Sequence, residues 1–250
     1  LDGVRRIAVL RANALGDLVF ALPALDALRA AYHQAEIVLL GLPWHAGFLS
    51  GRPGPIDRVE VVPAYRGVRE ENGGAEDPAD QERFFAAMAR ERFDLAIQIH
   101  GGGRHSNPFV LRLGARVTAG LRTPDAAPLD RWLPYVYYQP EVHRYLEVMA
   151  LVGARPVGFE PRLRLAPGDL EESYAAVPGA GPPIVVLHPG AGDPRRHWPT
   201  AGFAAVGDAL AQAGRRVAVI GGRPDERPLV DAVAGEMKEP ALNLAGRLSL

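Results

Sequence analysis

The strongest constraint on the fold is a short apolar run near the start of the chain, followed at once by a loop and a helical pattern. Arg6–Leu10 is typical of a buried parallel strand. Asp17 stands where a helix N-cap belongs, and leucines recur after it at helical spacing, with Pro23 in the predicted first turns. Further strands are expected at 36–41 and 59–62. Strand, helix and strand at this spacing predict a doubly wound α/β domain.

The same pattern starts again in the last third of the chain. We expect strands at 184–188, 216–220 and 242–244, with helices at 199–213 and 224–237. A Pro- and Gly-containing stretch at 155–168 is typical of a linker. The sequence therefore predicts two domains, 1–165 and 166–250. Because the second has about half the elements of a Rossmann-like domain, we expect it to be truncated at Leu250.

The region between these patterns is less regular. Helices are expected at 81–92, 109–113 and 142–152, and a strand at 93–99. Residues 65–80 are rich in Gly and charged side chains, which favours a mobile loop. The stretch 123–134 is interrupted by prolines, and no regular element is predicted there.

Composition excludes several classes of protein. With 28 Lys and Arg against 29 Asp and Glu, the formal net charge of −1 gives no reason to expect nucleic-acid binding. No apolar run approaches the roughly 20 residues that span a bilayer, so no transmembrane segment is predicted. The absence of cysteine excludes disulfides and thiolate metal sites. We expect a cytoplasmic protein.

The first strand–loop–helix places candidate chemistry at the carboxyl end of a strand, where open α/β sheets bind ligands. Asp17 is either a general base facing a cleft or simply a helix cap. Arg11 and Asn13 lie on the same loop and are suited to hold a sugar or phosphate. Both are equally consistent with solvated loop residues.

A second candidate is the turn after the strand at 184–188. The small residues Gly190, Ala191 and Gly192 let backbone N–H groups approach an anion, and Arg195 and Arg196 add positive charge. This pattern fits a diphosphate site, although a solvated surface turn is an equal alternative. It matches neither a P-loop nor a G-x-G-x-x-G fingerprint.

A third loop, Gly101–Gly103 with Arg104 and Ser106, also follows a strand and either receives substrate or only turns the chain. Gly102, Arg104 and Ser106 are its candidate contacts. The sequence contains no H-E-x-x-H motif or carboxylate–histidine cluster, so no metal site is predicted.

Several segments, taken in order, are similar to glycosyltransferase family 9, the lipopolysaccharide heptosyltransferase family. The resemblance runs over essentially the whole chain. It rests on Leu10–Asp17, Leu22–Leu25, His188–Ala191 and Arg196–Pro199, with support from Phe93–Ile97, Gly221–Gly222, Glu226 and Asn243–Leu250. One departure is Gln98, where the family often has Asp.

The resemblance implies a GT-B fold, in which two Rossmann-like domains face a cleft. It implies an inverting, metal-independent transfer of heptose or a similar sugar from an ADP-sugar to a lipopolysaccharide-core or related glycan. By position, Asp17 matches the proposed base, Arg196 the residue that stabilises the diphosphate, and Glu226 an acidic residue near the ribose. The loop Gly101–Ser106 falls at the acceptor side. The nucleotide sugar is a substrate, and no cofactor is implied.

Two other functions remain open from the sequence. A relative with an incomplete second domain would bind a nucleotide sugar without catalysis. An NAD-linked dehydrogenase would have a similar frame, although the missing G-x-G-x-x-G fingerprint argues against it. A lipid-linked glycan acceptor would bring the protein to the inner face of the cytoplasmic membrane as a peripheral protein.

Overall fold

The computed structural model describes residues 1–70, 76–177, 179 and 181–249. The chain forms two compact units, Leu1–Leu165 and Ala166–Leu250, within which most spatial contacts between residues are made. Each unit contains a parallel β-sheet, six strands in the first and three in the second among the described residues.

The first unit alternates strands and helices from its start. Its strands are β1 (Arg6–Leu10), β2 (Glu36–Gly41), β3 (Arg58–Val61), β4 (Leu95–Gln98), β5 (Val117–Arg122) and β6 (Arg131–Pro134). Its helices are α1 (Leu15–Ala31), α2 (Pro43–Leu49), α3 (Pro78–Glu91), α4 (Ser106–Leu111) and α5 (Glu141–Leu151).

The strand order of this sheet is β3-β2-β1-β4-β5-β6, with every pair parallel. The order reverses between β1 and β4, and doubly wound sheets bind their ligands at the carboxyl ends of the strands at that point. The loops that follow β1 and β4 both begin there. The topology therefore brings the loop after β1, which leads into the first turn of α1 with Asp17, beside the loop Gly101–Gly103 after β4.

The core of the first unit lies on both faces of the sheet. On one face, Ile7, Val9 and Ile97 pack with buried side chains of α1 and α5. On the other face, Leu10 and its neighbours pack with apolar residues of α3 and α4, including an aromatic cluster at Phe109. Burial on both faces explains why the central strands are continuous apolar runs in the sequence.

Helix α1 differs from the sequence prediction at its start. It begins at Leu15 with Ala14 as N-cap, so Asp17 is the third helical residue and not the cap. Pro23 lies in the middle of the helix and not in its first turns. A proline there has no N–H for the Val19 carbonyl four residues earlier, and the buried packing of α1 compensates for that loss.

Four elements were not predicted. The strand β5 contains Gly120 and Thr118, which weaken its apolar pattern, and β6 is a half-exposed strand that lies between prolines. Helix α2 and the later helix α6 (Pro167–Ala176) each begin with a proline that resembles a breaker but occupies an early helical position, which proline tolerates.

The predicted loop at 65–80 is partly ordered. Tyr65 and Arg69 form an antiparallel bridge, the Tyr65 ring contacts Phe109, and α3 already starts at Pro78 with Asp77 as its cap. Residues 71–75 of that prediction lie outside the described residues.

The second unit also alternates parallel strands with helices, but it has fewer of them among the described residues. It contains α6 (Pro167–Ala176), β7 (Ile184–Leu187), a 3-10 turn (Pro194–Arg196), α7 (Thr200–Gln212), β8 (Arg216–Val219), α8 (Arg227–Glu236) and β9 (Leu242–Asn243). The parallel order is β7-β8-β9. Val217 and Val219 pack with Val230 and Val233 of α8 to form its core.

Candidate active site

Asp17 lies in the first turn of α1, with its carboxylate turned back toward the loop that follows β1. Its Oδ2 accepts the Ala14 N–H at 3.1 Å, and its Oδ1 accepts Nη2 of Arg11 at 2.8 Å. The side chain of Asp17 is 35% exposed. The carboxylate is therefore fixed by two donors while part of it stays open to solvent.

Arg11 follows β1 directly and is only 3% exposed. Its Nη1 donates to the Ile99 carbonyl at 2.8 Å, and Tyr145 places its ring 4.9 Å from the guanidinium carbon. Burial lowers the pKa of Arg11, while Asp17 and Glu141 act in the opposite direction. Arginine stays charged under such conditions, so a permanent cation is buried beside Asp17.

A cavity of about 160 Å³ opens beside this ion pair within the first unit. It is lined by Arg11, Asn13, Asp17, Gly101, Tyr135, Glu141, Arg144 and Tyr145. The Oδ1 atom of Asn13 is buried without a hydrogen-bond partner.

Four of these lining residues were missed by the sequence analysis: Tyr135 after β6, and Glu141, Arg144 and Tyr145 on α5. The last three lie at helical positions i, i+3 and i+4, which share one face. Charged residues on the buried face of an amphipathic helix are a signal that sequence reasoning could have used. Arg144 is 1% exposed and Tyr145 is 1% exposed.

The glycine loop after β4 is shaped by buried polar side chains. Gln98 Nε2 donates to Ser106 Oγ at 2.7 Å, and Ser106 Oγ donates to the His100 carbonyl at 2.7 Å. Gly102 uses its carbonyl to accept the Thr123 N–H at 2.7 Å. Ser106 and the Gly102 carbonyl therefore hold the loop in shape, whereas the side chain of Arg104 is 70% exposed.

In the second unit, the turn after β7 runs from Pro189 into the 3-10 turn. A Cβ on Gly190 would lie 2.5 Å from Oε1 of Glu226, so any larger residue there would force the Glu226 side chain to move. Glu226 is buried, and its Oε2 accepts the N–H groups of Gly222 at 3.0 Å and Arg223 at 3.1 Å. Glu226 thus holds the turn after β8 by hydrogen bonds and lies close to Gly190 in the turn after β7.

The two arginines of this turn differ in their surroundings. Arg195 donates to both carboxylate oxygens of Asp193, with Nη2 at 2.6 Å from Oδ2. The guanidinium of Arg196 has no hydrogen-bond or ion-pair partner among the described residues, and its Nη2 lies 3.8 Å from the position of a Cβ on Gly192. Among the described residues, Arg196 is therefore the arginine of this turn that has no hydrogen bond or ion pair, although its charge acts on Asp193.

Within the parts of the chain that the structure describes, no group of three His, Cys, Asp or Glu side chains is arranged to hold a metal ion. No helix in the described ranges has both the length and the apolar character needed to cross a membrane.

These features define an α/β protein of the GT-B type, with Rossmann-like units and polar loops at the carboxyl ends of their strands. The family model of glycosyltransferase family 9 (heptosyltransferase) matches residues 82–250, and the chain belongs to this family. The protein is therefore a glycosyltransferase, as the sequence resemblance implies.

Solved structures with the same fold cover nearly the whole chain. A family 9 glycosyltransferase from Veillonella parvula is 18% identical, with a TM-score of 0.76 over 98% of this chain and 70% of that one. E. coli heptosyltransferase WaaC with ADP is 20% identical, with a TM-score of 0.64 over 96% and 75%. E. coli ADP-heptose lps heptosyltransferase II is 16% identical, with a TM-score of 0.69 over 98% and 73%. A search of curated proteins by sequence finds no match.

Proposed function

We propose that the protein transfers heptose or a similar sugar from an ADP-linked donor to a glycan acceptor, with inversion and without a metal. The observation that carries this proposal is the Asp17 carboxylate, held by Arg11 and Ala14 at the rim of a cavity. A general base needs this combination of fixed orientation and open access.

In the proposed reaction, Asp17 takes the proton of an acceptor hydroxyl as its oxygen attacks the anomeric carbon. The bond between that carbon and the diphosphate oxygen breaks, and the diphosphate leaves with both bonding electrons. Attack from the face opposite the leaving group inverts the anomeric centre. Arg196 would stabilise the negative charge that develops on the diphosphate, because its guanidinium lies near Gly192 and has no hydrogen bond or ion pair among the described residues.

The donor follows from the relatives and not from a contact in this chain. WaaC is described with ADP and with ADP-2-deoxy-2-fluoro heptose. We extend an ADP-linked sugar to this protein on that basis. A lipopolysaccharide-core or related lipid-linked glycan is the proposed acceptor, met in the cytoplasm at the inner face of the membrane. Glu226 is proposed to lie near the ribose, with Asn13, Gly102 and Arg104 toward the acceptor.

The test is calorimetric titration of the protein with ADP, UDP, GDP and NAD. Selective binding of ADP, weakened by Arg196→Ala, supports the proposed donor. A preference for UDP or GDP keeps the transferase and changes the donor, whereas binding of NAD alone contradicts the proposal. ADP binding without sugar transfer to any glycan tested would favour a non-catalytic nucleotide-sugar-binding relative.

A further inference from the structure

The side chain of Arg11 contacts protein groups on several sides. Its Nη1 reaches the Ile99 carbonyl at 2.8 Å, its Nη2 reaches Asp17 Oδ1 at 2.8 Å, and its Nε lies 3.4 Å from the Asp17 carbonyl. The sequence left two roles open for this arginine, binding of a sugar or phosphate and a solvated loop position. Its contacts direct the guanidinium toward Asp17 and the segment after β4.

Glu141 lies on the other side of Arg11 and connects it to a second buried arginine. Its Oε2 is 3.8 Å from Arg11 Nη2, and its Oε1 accepts Nη1 of Arg144. The charges therefore alternate in the order Asp17, Arg11, Glu141 and Arg144. Because each buried cation lies beside a carboxylate, this order offsets part of the cost of burying the two guanidinium groups.

Arg144 fixes the far end of this chain of charges to the backbone. Its Nη2 donates to the carbonyls of Val136 at 2.6 Å, Tyr137 at 3.0 Å and Gln139 at 2.8 Å. The segment between β6 and α5 is thereby held against the helix that carries Glu141. Arg11 is thus anchored at Ile99 on one side and through Glu141 and Arg144 on the other.

We propose that Arg11 is a positioning residue for Asp17 and that Glu141 and Arg144 hold Arg11 in place for this task. The inference rests on the proposed function, in which Asp17 is the base. With Arg11 present, Asp17 is held at Oδ1 by a side chain and at Oδ2 by a backbone N–H. Without it, the carboxylate keeps one donor and can rotate away from the acceptor hydroxyl.

The test is Arg11→Met, which keeps much of the volume and removes the charge and the donors. We expect kcat to fall about 100-fold, the loss typical of a misplacement of about 1 Å, with both KM values nearly unchanged. Arg11→Lys should recover part of the loss because it restores the charge at a single point. Glu141→Gln should lower kcat by a smaller factor, again without a change in KM.

Arg29→Met is the matched control. Arg29 is another partly buried arginine of the same unit, which donates to the carbonyls of Ala35 at 2.6 Å and Pro55 at 3.0 Å and pairs with Asp57. Its loss should lower the melting temperature and leave kcat unchanged. A raised acceptor KM with normal kcat in Arg11→Met would show that Arg11 binds substrate, and would overturn the inference.

A crystal structure of Arg11→Met separates this inference from the proposed function, because it does not depend on turnover. An Asp17 carboxylate that has rotated or become disordered supports the positioning role, and an unchanged carboxylate overturns it. Addition of ethylguanidinium to Arg11→Ala gives a further readout. Partial recovery of kcat there, and none in Asp17→Asn, is the expected result. Failure of the parent protein to transfer any sugar would contradict the proposed function alone.

Discussion

The backbone N–H of Ala12 donates to Nδ1 of His100 at 3.2 Å, so the loop after β1 is joined directly to the segment that follows β4. Since Nδ1 is an acceptor here, Nε2 carries the proton, and it lies 3.1 Å from the Gly67 carbonyl. Burial, with the nearby charge of Arg11, lowers the pKa of His100 to about 4. The neutral imidazole therefore connects three loops at the edge of the candidate site.

Acid should destabilise the protein through this histidine. The pKa of His100 is about 4 in the folded state and about 6.5 in an unfolded chain, so the unfolded state binds more protons between these values. Its contribution to stability is complete above pH 6.5 and is lost as the pH falls toward 4. Urea unfolding at pH 7.5 and at pH 5 measures this loss. We expect the free energy of unfolding to change by up to about 1.4 kcal/mol per pH unit through His100.

The buried His45, whose pKa burial also lowers to about 4, should add a similar slope. His100→Gln is therefore expected to remove about half of the pH dependence and to leave the rest. His33→Gln, at an exposed position, is the control because it keeps both buried imidazoles. If the free energy of unfolding of His100→Gln depended on pH as strongly as that of the parent protein, His100 would not be a source of the acid sensitivity.

Asp17→Asn should abolish transfer while donor binding stays normal. The amide keeps an oxygen for Arg11 but does not accept the proton, and general-base catalysis typically contributes about 10²–10⁴ in rate. Turnover with a glycan acceptor and calorimetry with ADP measure the two effects. Asp26→Asn, a second acidic position on α1, should retain turnover. Normal turnover by Asp17→Asn would exclude Asp17 as the base.

Arg196→Ala should weaken ADP binding and lower the transfer rate on the order of 10²–10³, the typical cost of removing one hydrogen-bond donor to a developing anion. The control is Arg195→Ala, since Arg195 pairs with Asp193 and its side chain is 89% exposed. We expect the control to bind ADP nearly as well as the parent. If both variants lost ADP affinity equally, the positive charge of the whole turn would matter and Arg196 would have no specific role.

Gly103→Ala should destabilise the first unit more than Gly101→Ala. Gly103 has a φ of +94°, and a Cβ there would lie 2.7 Å from the Leu121 carbonyl oxygen and 2.5 Å from Nδ2 of Asn107. Gly101 also has a positive φ, but a Cβ there meets nothing within 4 Å. Backbone strain alone predicts about 1 kcal/mol for Gly101→Ala, and strain with the two close contacts predicts about 3 kcal/mol for Gly103→Ala.

Chemical denaturation of the two alanine variants compares their free energies of unfolding. Equal losses would show that the loop after β4 relaxes enough to accommodate a methyl group.

The central strands of the first unit were predictable because burial on both faces leaves no polar residue to interrupt them. Arg6–Leu10 is the clearest case, and the helical spacing of the leucines after Asp17 is equally direct. The position of Asp17 within the helix was not predictable, because an acidic residue is typical both of the N-cap and of the first helical turn. The N-cap is Ala14, and Asp17 accepts the Ala14 N–H from the third helical position.

Most features of the site that could not be predicted from the sequence depend on contacts between residues that are far apart in the chain. Arg11 and Glu141 are far apart in the chain, and only the sheet order brings α5 next to the loop after β1. The sequence therefore identified Arg11 as a polar loop residue without its partners. The strand β6 was missed for a related reason, because its pairing with β5 forms it despite the flanking prolines.

Over residues 136–139, Arg144 contacts only main-chain carbonyls, at Val136, Tyr137 and Gln139, whereas the preceding Tyr135 is contacted through its side chain. Every amino acid offers the same carbonyl, so these contacts place no demand on the side chains of residues 136–139. Tyr137 is 74% exposed and Tyr138 is 93% exposed, so packing constrains them little. This surface segment can accept substitutions freely while its backbone path persists, which makes it a natural place to diversify or engineer the protein.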